Sequence, residues 1–575
     1  MPSGHLSRRS GRPRAVAGVC GLILSAALLL SGCTTGGTAG LNRDPGAVGT
    51  AKFGADGSHS SQGDDSTSGV TIASLRPKPS AALERYLSQH VDWKRCDGHF
   101  ECGSVEVPID WAHVTTASVR IALVKHPATG SRVGNLLVNP GGPGGSGVGF
   151  VEDGVGNVVD GTIEEHYDVI GFDPRGVGAS APVTCFGNAG IDEYLYGIFP
   201  GAIGSAEWIA AQKREADALA AACEKNTGPV LAHIDSVSVA EDMDVIRAAL
   251  GDAKLNYLGY SYGTYLGTLY AGLFPDRVGR FVLDGADDPW GSDFSPSGGG
   301  ETSSDASGGY GVSPAEDGAV AQTVGFEGDL DDYLRQCVDG DGDALAGQRC
   351  PFSGSLADAE TDVERDFASV TAHPLVAKDG RLLGGATLAT AIDESLYDPT
   401  DWPDLTRMFI ELGKGNPSQA FEFADDYNDR KPGGGFYDNG DLANLAIGCL
   451  EDGHDVDLAF DRREATELVK VAPILGIYSA YGDLACSGWK YGPAPFPNPV
   501  HAKGSAPIVV VGTTGDPATP YSEAQQLSKL LDNGHLVTYH GEGHTAYDRG
   551  IGCINSAVDA YLMDGTVPFN DPQCH

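Results

Sequence analysis

The stretch NYLGYSYGTYLG (residues 256–267) is the most informative part of the chain, because it places one serine between two glycines where an apolar run ends. Residues 259–263 fit the pattern Gly-x-Ser-x-Gly with Ser261 at its centre. The residues before the serine predict a strand, and TYLGTLYAGLF (residues 264–274) predicts a helix. A sharp strand-to-helix turn would lift the Ser261 hydroxyl above a sheet and open the helix with the amide of Tyr262. The motif alone is weak, but this setting favours a nucleophile over a structural turn.

Strand and helix patterns alternate on both sides of this turn. The predicted strands are VRIALVKH (119–126), GNLLVN (134–139), YDVIGF (167–172), GRFVLDG (279–285), APIVVVGTTGD (506–516) and HLVTYHGEGH (535–544). Predicted helices cover residues 238–251 and 521–531. This alternation predicts an α/β fold, with a mostly parallel sheet and helices on both faces.

The chain of 575 residues divides by composition. A basic start, a short apolar run and LSGC predict a lipoprotein signal peptide over 1–33, with Cys33 as the lipidated residue; an ordinary signal peptide is the alternative. Residues 34–79 are rich in Gly, Ser, Thr and Asp and predict a flexible tether. The α/β pattern covers 80–289 and 501–575, and a largely helical lid domain is expected over 290–500.

The net charge of −40 argues against nucleic acid as a partner, since phosphates repel an acidic surface. The signal peptide predicts that the protein is exported, either to the cell surface or into the medium. Contact with a membrane is expected only through a lipid on Cys33.

Twelve cysteines are present, and ten remain after Cys20 and Cys33 are set aside. An even number after export predicts disulfides, although sequence cannot fix their connectivity. The simplest guess is sequential pairing: Cys96–Cys102, Cys185–Cys223, Cys337–Cys350, Cys449–Cys486 and Cys553–Cys574.

Metal-binding motifs are incomplete. No cysteine or histidine spacing of a zinc site is present. The segment DGDGD (339–343) lacks the glycine and glutamate of a calcium loop, with Ala344 and Cys350 in their places. No metal and no cofactor are therefore expected.

A serine nucleophile needs a base, and histidines near the chain end are the candidates. His544 in GEGH follows the last strand, and the glycine before it permits a turn back towards the sheet. His535 and His540 are the alternatives, expected at the surface or at the strand end.

The acid that orients the histidine should follow an earlier strand. Asp516, just beyond VVVGTTG, is preferred to Asp284; Asp287 and Asp548 are further alternatives. The order Ser261, Asp516, His544 is that of the α/β hydrolases.

An oxyanion requires two backbone N–H donors. Tyr262 supplies one, and the loop NPGGPGG (139–145) is expected to supply the other. Its prolines have no N–H, so Gly141 and Gly142 are the candidates and Gly142 is chosen. The loop lacks the lysine of a phosphate-binding loop.

Several segments together resemble the secreted tripeptidyl aminopeptidases of actinobacteria, relatives of the prolyl aminopeptidases among α/β hydrolases. They include VEVPIDW, GNLLVNPGGPGGSG, DVIGFDPRGVGAS, LNYLGYSYGTYLGTLYAGLFPDRVGRFVLDG, AIGC, GDPATP and GEGH, and they cover both core segments but little of the lid. The Gly- and Ser-rich stretch at 292–318 lies where the lid begins and is longer than expected for this family. The lid sets specificity, so the resemblance indicates the length of the released peptide less firmly than the reaction type.

The resemblance implies a serine exopeptidase that releases short peptides, often tripeptides, from peptide substrates with free N-termini. It also implies acidic lid residues that bind the substrate ammonium group, and Glu451 and Asp452 after AIGC are the candidates; surface acids are the alternative reading. An esterase or other acyl hydrolase with the same triad, a prolyl-type aminopeptidase, and an inactive binding protein are the alternative functions. In FDPRG, Asp173 and Arg175 are expected to form a structural turn and ion pair.

Overall fold

The computed structural model describes residues 70–96, 98–288, 290, 314–340, 342–451 and 456–575. The predicted signal peptide, Cys33, most of the predicted tether and Asp452 lie outside these residues. No helix within the described residues is long and apolar enough to cross a membrane.

Within the part of the chain that the structure describes, the strands form one ten-stranded sheet and one small hairpin. They are β1 (Lys94–Arg95), β2 (Glu101–Pro108), β3 (Ser118–His126), β4 (Gly134–Asn139), β5 (Tyr167–Phe172), β6 (Leu255–Tyr260), β7 (Val278–Asp284), β8 (Leu375–Val376), β9 (Leu382–Leu383), β10 (Ile508–Gly515), β11 (Gly534–Glu542) and β12 (Gln573–Cys574).

The α-helices within the described residues fall into three groups along the chain. Before β7 these are α1 (Ile72–Leu75), α2 (Ala81–Leu87), α3 (Gly147–Glu152), α4 (Gly161–His166), α5 (Asn188–Tyr196), α6 (Ala206–Thr227), α7 (Ser236–Ala249) and α8 (Tyr262–Leu273). Between β7 and β10 they are α9 (Pro314–Asp339), α10 (Gly342–Leu345), α11 (Leu356–Ala372), α12 (Gly385–Leu396), α13 (Trp402–Leu412), α14 (Ser418–Tyr427), α15 (Gly440–Glu451), α16 (Leu458–Val471) and α17 (Gly476–Ser479). After β10 come α18 (Tyr521–Leu530) and α19 (Gly552–Asp564).

The large sheet has the order β1-β2-β3-β5-β4-β6-β7-β10-β11-β12. From β5 to β12 neighbouring strands are parallel, and β1, β2 and β3 add an antiparallel edge. β10 pairs with β7, with Ile508 opposite Phe281, so two segments far apart in the chain share one sheet. The predicted α/β fold is therefore confirmed.

Both faces of the sheet are buried, as expected of parallel strands covered by helices. One apolar cluster includes Leu137, Tyr257 and Leu269, and the other includes Val138, Leu258 and Val511. Neighbouring strand residues thus enter opposite clusters. The helices between β7 and β10 have a core of their own, which includes Tyr333 and Trp402.

Two features differ from the sequence expectation. Ordered structure begins before residue 80, because Ile72 of α1 packs close to Gly272 of α8 and Val70 bridges Pro497. The 22-residue helix α6 was not predicted; three of its seven buried residues are alanine, which weakens the apolar pattern.

In the structure, five disulfides join the ten cysteines in the same sequential order. The pairs are Cys96–Cys102, Cys185–Cys223, Cys337–Cys350, Cys449–Cys486 and Cys553–Cys574.

Several of the disulfides attach a helix to another part of the fold. Cys223 fixes α6 to the segment before α5, and Cys337 fixes the end of α9 to the segment after α10. Cys553 in α19 is bonded to the last strand, β12, which lies at the edge of the sheet. The cross-links thus restrain elements in both the sheet and the helical segment.

The side chains of FDPRG support the framework with separate partners. Arg175 is fully buried and forms a paired hydrogen bond with Asp242, at 2.8 and 2.6 Å. Asp173 accepts hydrogen bonds from the Ser146 hydroxyl at 2.6 Å and from the Ala179 amide at 2.8 Å. The expected structural role therefore holds, but the expected ion pair of Arg175 is with Asp242.

Candidate active site

Ser261 occupies a strained turn between β6 and α8. Its φ of 54° and ψ of −132° lie outside the regions that side-chain-bearing residues prefer. A β-carbon at Gly259 would lie 2.4 Å from the carbonyl oxygen of Gly263, so only glycine fits there. The Ser261 amide donates to the carbonyl of Asp284 at 2.9 Å, which ties the turn to the end of β7.

His544 and Asp516 lie just after β11 and β10, which are neighbours in the sheet. Nδ1 of His544 is 2.8 Å from Oδ1 and 3.1 Å from Oδ2 of Asp516. Asp516 also accepts from the amides of Ala518 and Thr519 at 3.0 and 2.9 Å, and its side chain is fully buried. The carboxylate is therefore held in one orientation towards the imidazole.

The end of β7 brings the imidazole and the serine turn together. Gly285 directly follows Asp284, whose carbonyl holds the Ser261 amide. A β-carbon at Gly285 would lie 3.0 Å from Cε1 of His544. The His544 ring thus lies against Gly285, the residue that follows Asp284 in the chain, on the same edge of the sheet as Ser261.

The alternative acid Asp284 has a different position and role. Its carboxylate accepts from the amides of Ala546 at 3.1 Å and Tyr547 at 2.8 Å, in the loop that follows His544. It is completely buried, and burial raises its pKa to about 6. Asp284 therefore supports the histidine loop, while Asp516 contacts the ring.

The other histidine candidates have different surroundings. Nε2 of His540 is 2.6 Å from Oε1 of Gln573 in an exposed position, and Nε2 of His535 is 3.2 Å from Oδ1 of Asn533. Of the three candidates, His544 is the histidine that the structure pairs with a buried carboxylate.

The glycine-rich loop after β4 lies against the serine turn. A β-carbon at Gly141 would be 3.0 Å from Cβ of Ser261 and 3.1 Å from the Tyr262 nitrogen. The Gly141 amide donates to Oδ1 of Asn139 at 3.0 Å. Within the described part of the chain, the amides of Gly142 and Tyr262 have no acceptor, so both remain available to a substrate oxygen.

A cavity of about 670 Å³ opens beside this loop. It is lined by residues 142–145 of the loop, by several aromatic side chains and by Tyr397. The Tyr397 carbonyl accepts from the His544 amide at 2.9 Å, and the two rings meet edge to face at 5.5 Å between centroids. The cavity is therefore continuous with the surroundings of the histidine.

Acidic side chains line the cavity, and its described lining contains no Lys, Arg or His. The four acids are Glu394, Asp429, Asp438 and Asp441. Burial, with the charges of neighbouring acids, raises the pKa of Glu394 to about 8 and that of Asp441 to about 7. Among the described residues, neither of these two carboxylates has a hydrogen-bond partner or a positively charged side chain beside it.

Glu451, the expected ammonium-binding residue, lies outside this lining. Its carboxylate accepts a hydrogen bond from the Ser236 amide at the start of α7. The expected role of Glu451 and Asp452 with a substrate amine stays a prediction, which the position of Glu451 does not favour. Sequence reasoning missed Glu394 and Asp441, because nothing in a chain with 78 acidic residues distinguishes them.

Comparison with known proteins agrees with this geometry. Residues 134–299 match the α/β hydrolase fold family, and residues 472–574 match the family described as TAP-like protein. The chain is 34% identical over 511 residues to Serine protease Hip1 of Mycobacterium tuberculosis, which covers 85% of this chain and 92% of the relative.

Two further relatives bear different names. Tripeptidyl aminopeptidase of Streptomyces lividans is 30% identical over 512 residues, covering 86% of this chain and 88% of the relative. Carboxylesterase B of Mycobacterium tuberculosis is 35% identical over 489 residues, covering 82% and 86%. The chain therefore belongs to the tripeptidyl aminopeptidase family of α/β hydrolases and is a serine hydrolase of the peptidase type.

Proposed function

We propose that this protein is an exported serine aminopeptidase that releases short peptides, tripeptides above all, from free N-termini. The reaction proceeds through an acyl-enzyme on Ser261, with His544 as base and Asp516 as the residue that orients it. The segment 290–500 acts as the lid that shapes the substrate cavity. The observation that carries the proposal is the presence of two carboxylates without a cation, Glu394 and Asp441, in the lining of the cavity beside the glycine-rich loop.

In the first step, Nε2 of His544 takes the proton of the Ser261 hydroxyl as its oxygen attacks the scissile carbonyl carbon. Asp516 accepts a hydrogen bond from Nδ1–H of His544, so Nε2 carries no proton and can take the one from Ser261. The imidazolium that forms lies next to the buried carboxylate, which stabilises its charge.

The tetrahedral oxyanion is bound by the amides of Tyr262 and Gly142. His544 then gives its proton to the leaving amine, and the acyl group stays on Ser261. A water molecule, deprotonated by the same histidine, attacks the acyl-enzyme and releases the peptide, which restores the serine hydroxyl.

The free N-terminus of the substrate supplies the cation that the cavity lacks. An α-ammonium group next to Glu394 or Asp441 would give a partly buried carboxylate a charge-assisted contact. A blocked N-terminus has no such charge and leaves the acids unpaired. A tripeptide in extended form spans about 10 Å, so the ammonium site limits how much chain reaches Ser261.

The same triad is compatible with ester hydrolysis, and the relative named Carboxylesterase B gives this alternative a specific basis. The two functions differ in what the acids do, because a simple ester carries no ammonium group. A preference for free over blocked N-termini therefore separates them.

The direct experiment compares a tripeptidyl p-nitroanilide with its N-acetylated form and with p-nitrophenyl butyrate. We expect the free tripeptide derivative to have the highest kcat/KM and Ser261→Ala to abolish turnover of all three. Equal rates on the free and acetylated peptides would contradict the aminopeptidase assignment and favour the esterase. Turnover by Ser261→Ala would contradict the nucleophile.

The export proposal has support from the five disulfides, which form outside reducing compartments. Cys33 would carry the lipid, with the segment 34–79 as a tether. Metabolic labelling with a radioactive fatty acid tests this: Cys33→Ser should lose the label, and retained label would contradict it.

A further inference from the structure

Helix α15 contacts the glycine-rich loop through its first five residues. Nδ2 of Asn444 donates to the carbonyl of Pro143 at 3.0 Å. A β-carbon at Gly144 would lie 2.4 Å from the carbonyl oxygen of Gly440 and 2.9 Å from the Asn444 nitrogen. The residues that directly follow Gly142 therefore rest against the start of α15.

The other end of α15 reaches the second oxyanion donor. Glu451, the last residue of the helix, accepts from the Ser236 amide, and the Ser236 hydroxyl is hydrogen-bonded to the hydroxyl of Tyr262. The residues Ser236 and Tyr262 are 1% and 9% exposed. Burial and the charge of Glu451 raise the pKa of Tyr262 well above its usual value, so its hydroxyl stays neutral in this chain of contacts.

The helix between these contacts is well fixed. It has 12 residues, which corresponds to a length of about 18 Å. Its buried side includes Leu442, Ala446 and Ile447, and Cys449 forms a disulfide with Cys486. A single rigid element thus connects the two amides available to a substrate oxygen.

We propose that α15 sets the spacing of the oxyanion hole, with Asn444 positioning the Gly142 side and Glu451 positioning the Tyr262 side through Ser236. This rests on the proposed nucleophile, Ser261, and is independent of the substrate's N-terminus. Oxyanion donors act on the tetrahedral state, so their displacement lowers kcat more than it raises KM.

Tyr262→Phe and Glu451→Ala test the contacts that lead from Glu451 through Ser236 to Tyr262. Tyr262→Phe keeps the ring and the amide and removes only the hydroxyl that contacts Ser236. Loss of an entire donor costs about 100- to 1,000-fold in kcat, so we expect a smaller fall, of about 10-fold, for either variant, with KM within about 2-fold. Glu451→Gln keeps an oxygen acceptor for the Ser236 amide and should recover most of the activity.

The measurement that separates positioning from general damage is the affinity for a tripeptidyl aldehyde, whose serine adduct places an oxyanion in the hole. Its inhibition constant should rise in parallel with the fall in kcat for both variants. Glu422→Ala, which removes an exposed glutamate of α14, is the matched control and should change neither value.

Unchanged aldehyde affinity in folded Glu451→Ala and Tyr262→Phe would overturn the inference, whether or not kcat falls. If Glu451→Ala does not fold, Tyr262→Phe alone decides. An aldehyde that fails to inhibit the wild-type protein would instead overturn the assignment of Ser261, and the inference with it.

Discussion

Replacing Glu394 with glutamine tests whether the cavity acids hold the substrate amine. The change preserves the size of a partly buried side chain on α12 and removes its charge. A hydrogen bond to a charged group is worth about 1.5–3 kcal/mol, which corresponds to about 10- to 150-fold in kcat/KM. We expect a loss in this range for a free tripeptidyl p-nitroanilide and less than about 3-fold for its N-acetylated form.

The pH dependence of the same reaction has a defined sign. The pKa of Glu394 is raised to about 8 and that of Asp441 to about 7, so both acids gain their charge as pH rises through this range. For the free peptide, kcat/KM should rise over pH 7–8 and then fall as the substrate's α-ammonium, with a pKa of about 8, loses its proton. In Glu394→Gln the rise in kcat/KM should move to lower pH, towards the pKa of Asp441 at about 7.

The assay is the initial rate of p-nitroaniline release at several pH values, with both substrates and both proteins. Glu422→Gln, the same change at an exposed position of α14, is the matched control and should behave as the wild type. An equal loss on free and acetylated substrates, or no loss on either, would refute the ammonium assignment.

Three other substitutions test the framework of the site. Asp516→Asn should lower kcat by about 1,000- to 10,000-fold in p-nitroanilide assays, because an amide cannot hold the His544 tautomer; a fall below 10-fold would contradict this role. Asp284→Ala leaves two buried amides without their acceptor and should lower the free energy of unfolding by about 1–3 kcal/mol for each, measured by urea titration; unchanged stability would argue against the loop-supporting role. Gly141→Ala should reduce kcat at least about 100-fold, because its β-carbon would lie 2.6 Å from the carbonyl oxygen of Tyr260; wild-type kcat would show that the loop adapts.

The sequence predicted the parts of the fold that depend on local pattern. The strand-turn-helix around Ser261 and the strands that end before Asp516 and Gly543 follow from apolar runs next to glycines. Parallel strands bring their carboxyl ends to one edge, so chain order alone placed the candidate serine, acid and histidine together.

The cavity could not be predicted in this way, because its residues come from separate helices. Glu394 belongs to α12 and Asp441 to α15, and each looks like any other surface acid in the sequence. Only packing, which brings both into the lining of the cavity that the glycine-rich loop also lines, distinguishes them. The expectation for Glu451 relied on its place after AIGC, whereas the direction of α15 takes its carboxylate to Ser236.

The covalent intermediate can be observed by mass spectrometry of the acid-quenched enzyme, taken during turnover of a free tripeptidyl ester. The proposal predicts an adduct of tripeptidyl mass on the peptide that contains Ser261, which is absent in Ser261→Ala. An adduct at another residue, or none while the substrate is being consumed, would contradict the acyl-enzyme on Ser261.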